Sequence, residues 1–585
     1  MPRRLLGALV ACAASLSVLP AVASAAEPTP FGHPCKAENG VRFCPATTGT
    51  DPASLARRIP SFDGSPIDAD VTLPAEGQAP FPTIVMIHGY GGSKADTEST
   101  GPSDGFDNVG IAKRGYAVVS ISTRGFGLSC GSSVSRTAAC DGKGWIHLDD
   151  QRYEVHDVQY LLGLLVDEGI SEARALGATG GSYGGGLSLE LAYLKNRVRN
   201  VDGSYSPWKT TKGTRLSLAA AYPLVPWSDL SNALVPNGRA DGFGSPPGVQ
   251  IESYVNGLYV AGNLAGWVSK PGIDPGADLT TWKNLTNAGE PYGTAAKSAL
   301  KTLATYHGVW NLKGTPAPLL LASGWTDDLF PPIQTLRIYD KLRKKSKKAP
   351  VWLQYGDFGH ARGGHHEGDR ARMNAEGVAF FAHYLQGSKK KLPKPGSVLA
   401  MGQSCPNTAR NGIGPWTASS YAALQKGTQT LTAAGTQTIT STGGDHALSA
   451  ALDPLSPTGG DACSTYPAGI GAGTAVATKT SKGFTYLGMG HISAKVKTTG
   501  PYGQIDARLW DVSAGKQLLV DRSVYRLTPN QRGTVKFDLH GNGYRFAKGH
   551  TVKLELLGWD KPTHRPSNGT FAVKISKIRL ALPTR

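Results

Sequence analysis

The sequence predicts an α/β domain followed by an all-β domain, and three observations carry that prediction. Between about residue 80 and residue 390, short apolar runs alternate with stretches of helical periodicity. In the last part of the chain the period becomes two, in short alternating segments separated by Gly, Asn and Asp. Between these regions lies a basic, proline-containing stretch, Lys389-Lys390-Lys391-Leu392-Pro393-Lys394-Pro395, that reads as a linker.

At 585 residues the chain is too long for one ordinary core. Its 40% hydrophobic and 18% charged residues are a globular composition. Residues 1–25 read as a secretory signal peptide: Arg3 and Arg4, a mostly apolar run from Leu5 to Val22, then Ala23-Ser24-Ala25 as the cleavage site. Ser and Pro interrupt that run, so it is a poor membrane span, and no stable membrane insertion is expected. Apolar sequence continues past Cys12, which disfavours a lipoprotein anchor.

Removing Cys12 leaves six cysteines, which allow 15 pairings. Local separation favours Cys35–Cys44 and Cys130–Cys140 and leaves Cys405–Cys463, an arrangement suited to an oxidising, extracellular compartment. The formal charge is +18, yet its basic clusters at 343–348 and 389–391 are not interleaved with stacking aromatics. No nucleic-acid partner is expected. The charge suits a solvated surface with at most weak attraction to an anionic cell wall.

Within the first region the predicted strands are Thr83–Ile87, Tyr116–Ile121, Ala175–Thr179, Leu216–Ala221, Leu319–Ala322 and Val351–Leu353. Runs apolar on both faces suit parallel strands covered by helices. Val158, Leu161, Leu162 and Leu165 mark one helix; Ile333, Leu336, Tyr339 and Leu342 mark a second; Ala375 to Gln386 closes the set. Residues 224–312, rich in Trp and Tyr and poor in strand periodicity, read as a mostly helical cap over the carboxyl ends of the strands. Past the linker, Val535–Leu539, Val552–Leu556 and Val573–Ile578 alternate as strands of a sandwich or jelly roll. The expected division is a catalytic unit at 26–395, including the cap, and a β domain at 396–585.

The chemistry concentrates at Thr179-Gly180-Gly181-Ser182-Tyr183-Gly184-Gly185-Gly186, a G-x-S-x-G run between a predicted strand and the helical stretch Leu187 to Leu194. A serine on such a turn is lifted from the sheet, and its flanking positions have no room for a Cβ. The backbone N–H of Tyr183 then stands where an oxyanion would form. A serine hydroxyl needs a base, and the α/β-hydrolase order is Ser, then acid, then His. The acid is expected at Asp327, in Gly324-Trp325-Thr326-Asp327 after one strand, and the base at His360, in Tyr355-Gly356-Asp357-Phe358-Gly359-His360 after the next.

Asp328 is expected to point outward or cap a helix, and Asp357 stands too close to His360 to orient its ring. His365, His366 and Asp369 match no standard zinc spacing, so neither metal nor cofactor is expected. The second oxyanion donor is expected from the N–H of Tyr90 in His88-Gly89-Tyr90-Gly91-Gly92.

Gly324-Trp325-Thr326-Asp327 and Thr123-Arg124-Gly125-Phe126-Gly127-Leu128-Ser129-Cys130-Gly131 resemble segments of the peptidase S15 group, which holds Xaa-Pro dipeptidyl-peptidases and cocaine-esterase-like acyl esterases. The resemblance implies an α/β-hydrolase core with a helical cap insertion and a C-terminal all-β jelly-roll domain. It also implies the triad Ser182, Asp327 and His360 and an oxyanion tyrosine near Tyr90.

The expected function is a secreted serine hydrolase, an Xaa-Pro dipeptidyl-peptidase by resemblance, with an acyl esterase or amidase as the alternative. The partner is then a peptide or a small acyl ester or amide. A peptidase of this kind needs a carboxylate for the substrate amine, for which Asp229, Asp241 and Glu252 are available. A non-catalytic wall- or glycan-binding protein is the further alternative.

Overall fold

A computed structural model describes residues 27–98, 105–239, 245–456 and 460–585; the expected signal peptide lies outside them. The expected parallel strands are β2 (Phe81–Ile87), β3 (Ala117–Ser122), β4 (Ser171–Gly181), β5 (Leu218–Leu224), β6 (Leu319–Gly324) and β7 (Val351–Gly356), preceded by β1 (Pro66–Pro74). They lie in the order β1-β3-β2-β4-β5-β6-β7 within a sheet of 12 strands among the described residues. Pairing from β3 through β7 is parallel, and β1 is antiparallel to β3.

Both faces of the sheet are buried, as the apolar runs require. Val85 and Ile87 of β2 join one core with Val158, Leu161 and Leu162 of helix α1 (Glu154–Asp167). Ile84 and Met86 point the other way, into a second core with Phe380, Phe381 and Leu385 of helix α8 (Glu367–Leu385). This is the period-two alternation of a strand with helices on either side.

Helix α2 (Tyr183–Leu194) follows β4, and helix α7 (Ile333–Lys345) follows β6. Between β5 and β6 the chain forms helices α3 (Leu230–Leu234), α4 (Glu252–Ala265), α5 (Leu279–Ala288) and α6 (Thr294–Tyr306), the expected helical insertion.

The sheet does not stop at the basic stretch. Strand β8 (Val398–Gly402) pairs in parallel with β7, and β9 (Ile413–Ala418) pairs antiparallel with β8. The sequence places the end of the α/β unit at 395; in the structure its sheet runs to 418. Only five residues long and isolated from other apolar runs, β8 carries too little periodicity to stand out.

The rest of the chain forms two antiparallel sheets. Their facing sides share one core, with Val496, Phe537 and Ile575 from one and Leu509, Val520 and Leu554 from the other. In the first sheet His491–Thr499 alternates buried and exposed residues, a strand with one wet face. In the second, Gly503–Ser513 and Lys516–Leu527 are buried almost throughout, because their outer face packs on the catalytic unit. Arg522 and Arg526, two steps of the strand period apart, project to that side: Arg526 Nη1 lies 2.6 Å from Glu290 Oε1, and Arg522 Nη1 lies 3.7 Å from Asp328 Oδ2.

The three disulfides are Cys35–Cys44, Cys130–Cys140 and Cys405–Cys463, the set favoured by local separation. No helix among the described residues is long and apolar enough to cross a membrane.

His540 sits in this interface, and burial holds its pKa down to about 3. Because the folded value lies below the unfolded one, its contribution to stability is present above about pH 6.5 and is lost as pH falls. His540→Gln is therefore expected to remove about 2 kcal/mol of the stability lost between pH 7 and pH 5. Thermal or urea unfolding of both proteins at the two pH values measures this, and parallel pH dependences would contradict it.

Candidate active site

Ser182 occupies the turn between β4 and α2 at φ 56° and ψ −114°, a conformation that L residues rarely adopt. The turn is held on both sides: Ser182 N donates to Leu224 O of β5 at 3.0 Å, and Gly186 N donates to Ser182 O at 2.8 Å. The glycines around it are dictated by neighbouring backbone. A Cβ on Gly184 would come within 2.1 Å of Ile87 O at the end of β2, and one on Gly185 within 2.2 Å of Leu224 O. The motif thus records how closely α2 is pressed against the ends of β2 and β5.

The strand order places this turn well. From β2 the chain passes to β3 on one side and then returns to β4 on the other, so the neighbouring ends of β2 and β4 form the switch point at which sheets of this kind bind ligands. The loop after β2, His88 to Gly92, forms one wall, and the Ser182 turn forms the other. His88 is buried and uncharged, and its ring ties the loop down: Thr123 N donates to its Nε2 at 3.0 Å, and Nδ1 donates to Gly89 O at 2.6 Å. A Cβ on Gly89 would lie 3.9 Å from Gly181 O, so the two walls meet closely.

Tyr90 follows. Its ring packs edge-on against Phe126 and Tyr183, and its hydroxyl abuts Gly262 of α4, where a Cβ would approach within 2.2 Å. Burial raises the phenol well above its ordinary pKa, so it remains a neutral donor. The Tyr183 ring turns inward. Its hydroxyl accepts Asp149 N at 3.0 Å and donates to Glu154 Oε1 at 3.3 Å, while its backbone N–H opens α2, where helix amides lack intrahelical acceptors.

Asp327 and His360 come from the loops after β6 and β7, and the structure brings them to Ser182. Ser182 Oγ lies 2.8 Å from His360 Nε2; His360 Nδ1 lies 2.8 and 2.9 Å from the two oxygens of Asp327. Asp327 is fully buried, and its Oδ1 also accepts the N–H groups of Leu329 at 3.0 Å and Phe330 at 2.8 Å. The carboxylate is therefore fixed before it meets the imidazole, and its charge favours a proton on Nδ1, leaving Nε2 as acceptor for the serine. Phe330 covers one side of the ring edge-on at 5.2 Å. Gly359, at φ 137°, admits this approach: a Cβ there would lie 2.6 Å from Asp327 Cβ.

The other acids and histidines of these loops have different work. Asp357 orients a second histidine: His366 Nε2 lies 3.1 Å from its Oδ2, and Thr326 Oγ1 donates to its Oδ1 at 2.9 Å. Asp369 accepts Gly412 N at 2.9 Å. Asp328 neither points outward nor caps the following helix, the two alternatives expected for it. It is buried, with Arg362 Nε at 2.6 Å. The sequence shows no sign of this, because the compensating guanidinium lies 34 residues away in a glycine-rich loop.

Of the acids available for a substrate amine, Asp229 caps α3 by accepting Asn232 N at 3.1 Å. Glu252 opens α4 with Lys561 Nζ at 3.8 Å, and Asp241 lies outside the described residues.

Residues 63–201, which contain Tyr90 and Ser182, match the sequence model of the X-Pro dipeptidyl-peptidase (S15) family. Over that stretch the chain is similar to hydrolases of the S15 group. Residues 272–388 of this hydrolase, which contain Asp327 and His360, match the prolyl oligopeptidase family.

Solved structures share its whole α/β-hydrolase layout at low identity. An aminopeptidase from a marine sediment Thaumarchaeota archaeon is 15% identical, with a TM-score of 0.58 over 90% of this chain and 95% of that one. A CocE/NonD family hydrolase from Staphylococcus aureus is 13% identical, with a TM-score of 0.58 over 93% of each chain. An α-amino acid ester hydrolase is 16% identical, with a TM-score of 0.52 over 90% of this chain and 96% of that one. No curated protein sequence matches the hydrolase significantly.

The packing of the turn is testable apart from activity. Gly184→Ala forces a Cβ against Ile87 O and is expected to cost about 1–3 kcal/mol or more of stability. Gly181→Ala meets nothing within 4 Å and should unfold close to the wild type. Equal melting temperatures for the two variants would contradict this account.

Proposed function

We propose that this hydrolase is exported and works through an acyl-enzyme formed on Ser182. The observation that carries the proposal is the hydrogen-bonded chain Ser182–His360–Asp327 at the strand–helix turn. As Ser182 Oγ attacks the acyl carbon, His360 Nε2 takes its proton, and the buried carboxylate of Asp327 stabilises the imidazolium through Nδ1. The carbonyl oxygen becomes an oxyanion between the backbone N–H groups of Tyr183 and Tyr90. His360 then protonates the leaving group, and water repeats the sequence to free the acid and regenerate Ser182. None of these steps asks for a metal or a cofactor.

The substrate class favoured is a peptide cleaved in the manner of an Xaa-Pro dipeptidyl-peptidase, supported by the two peptidase families matched along the catalytic unit. One observation favours an acyl esterase or amidase instead: Asp229 and Glu252 are engaged in a helix cap and a lysine contact rather than held ready for an amine. Export is supported by the three disulfides.

An alanyl-proline anilide, its N-blocked form and a short acyl ester separate these readings. Cleavage confined to the free-amine anilide establishes the dipeptidyl-peptidase; ester cleavage with both anilides untouched establishes the esterase. Ser182→Ala is expected to lower kcat by about 10⁴-fold or more, and Asp327→Asn by about 10³- to 10⁴-fold. Turnover that survives Ser182→Ala would remove the serine mechanism, and the absence of any turnover in the wild type would favour a binding protein.

A further inference from the structure

Beside the Ser182–His360–Asp327 chain, a row of buried charges runs from the histidine loop into the β region. Asp328, the residue after Asp327, receives Arg362 Nε on Oδ2 at 2.6 Å and Arg362 Nη2 on Oδ1 at 3.2 Å. Arg362 lies two residues after His360. One guanidinium–carboxylate fork therefore joins the loop of the acid to the loop of the histidine.

From the five-stranded sheet, Arg522 brings Nη1 to 3.7 Å from the same Asp328 oxygen. Arg522 is itself aimed by Thr563 Oγ1 at 3.1 Å and by Asp560 Oδ2, 3.5 Å from its Nη2. Side-chain exposures of 5% for Arg362, 3% for Asp328 and 1% for both Arg522 and Asp560 place the whole row out of water.

Farther in, Asp506, Asp560 and His564 bring three ligating atoms within 4.8 Å of one another, a grouping that can suggest a cation site. Here the positive charge is already built in, because Arg508 Nη2 is hydrogen-bonded to Asp560 Oδ1 and Arg522 faces its other oxygen. The cluster is an ionic network. Breaking one member of such a network leaves a buried charge uncompensated, which is far costlier than losing a surface pair. Burial alone would raise Asp328, yet Arg362 and Arg522 hold it below its ordinary value, so it is a carboxylate throughout the working range.

The histidine loop needs such support. Glycines stand at 359, 363 and 364, and residues 357–366 form neither helix nor strand. Apart from the fork, its contacts include a bond of 3.4 Å from Ala361 N to Tyr254 Oη of the helical insertion and a bond of 3.1 Å from Ala462 N to Arg362 O.

The geometry points to Arg522 as a positioning residue for catalysis: by completing the charge around Asp328, it keeps the Asp328–Arg362 fork in the register that holds His360 between Ser182 and Asp327. The β region then acts on the reaction without touching substrate. This inference rests on the serine-hydrolase reading above.

Facing Asp328 are Arg362, Arg522 and the uncharged ring of His540; facing Arg362, besides Asp328, are Asp521 and Tyr254. Replacing Arg522 with a neutral residue removes one positive charge from this set, and losing a cation favours the protonated form of the acid–base groups around it.

The test compares wild type, Arg522→Gln, Arg522→Lys and Thr563→Val. Functional sites are counted by labelling Ser182 with a fluorophosphonate, and turnover of the substrate that the wild type cleaves is expressed per labelled site. Arg522→Gln is expected to lower kcat about 10- to 100-fold with KM within about threefold, because a small displacement of a catalytic group costs on that order. Its acid limb of kcat/KM moves to higher pH. Arg522→Lys restores the limb, and Thr563→Val, which keeps the cation but frees its aim, lowers kcat a few-fold with the limb unmoved.

Wild-type kcat per labelled site and an unmoved limb in Arg522→Gln would overturn the inference while leaving the hydrolase reading intact. Should Arg522→Gln fail to fold, Thr563→Val decides: a lower kcat at constant KM supports the role, and an unchanged kcat overturns it. A wild type that neither labels nor turns over removes the hydrolase reading and this inference with it.

Discussion

A serine held at positive φ between the ends of two parallel strands is the constraint on which the rest of the molecule depends. The conformation is strained and persists only where the surroundings over-determine it. Here they do so from three directions: backbone of β2 against Gly184, backbone of β5 against Gly185, and the hydrogen bond from Ser182 N to Leu224 O. Those contacts require the ends of three neighbouring parallel strands to lie side by side under the start of a helix, which a parallel sheet with helices on both faces supplies. The acid and the histidine then need only leave the same edge of that sheet, from β6 and β7, to reach the serine oxygen.

What the sequence revealed follows from how local each signal is. Six of the seven parallel strands among the described residues were readable because residues such as Ile84-Val85-Met86-Ile87 are apolar on both faces. Ser182, Asp327 and His360 could be chosen because each sits within a few residues of a strand end, in an order that the fold prescribes. The disulfides with separations of 9 and 10 residues were similarly close at hand, and the third followed by elimination.

Long-range compensation was not readable. Asp328 looked like a surface acid because nothing near it in the chain announces Arg362 or Arg522. Asp357, set aside as a partner for His360, proved to orient His366, nine residues on. The short strand Val398–Gly402 was missed since its identity lies in its pairing with Val351–Gly356 rather than in any pattern of its own.

Part of the charge of either sign is internal once the residues are placed. Arg124 is buried against Asp157 and Asp63, Arg362 and Arg522 against Asp328, Arg508 against Asp560, and Arg526 against Glu290. These guanidiniums are internal struts whose planar forks match carboxylates, a role for which lysine is poorly shaped. Because these five arginines face five carboxylates, Asp63, Asp157, Asp328, Asp560 and Glu290, they cancel in the net charge, and the formal +18 is carried by other residues.

The continuation of the main sheet through Val398–Gly402 and Ile413–Ala418 bears on how this chain can be divided. The basic stretch at 389–395 looks like a natural place to cut, but it connects neighbouring strands of one sheet. A protein ending there would leave Val351–Gly356 as a bare outer strand, apolar on both faces, with a row of unpaired amides and carbonyls open to any other strand it met. The shortened chain would be prone to polymerise edge to edge. The main sheet therefore ends at Ala418, well past the basic stretch that marks a boundary along the sequence.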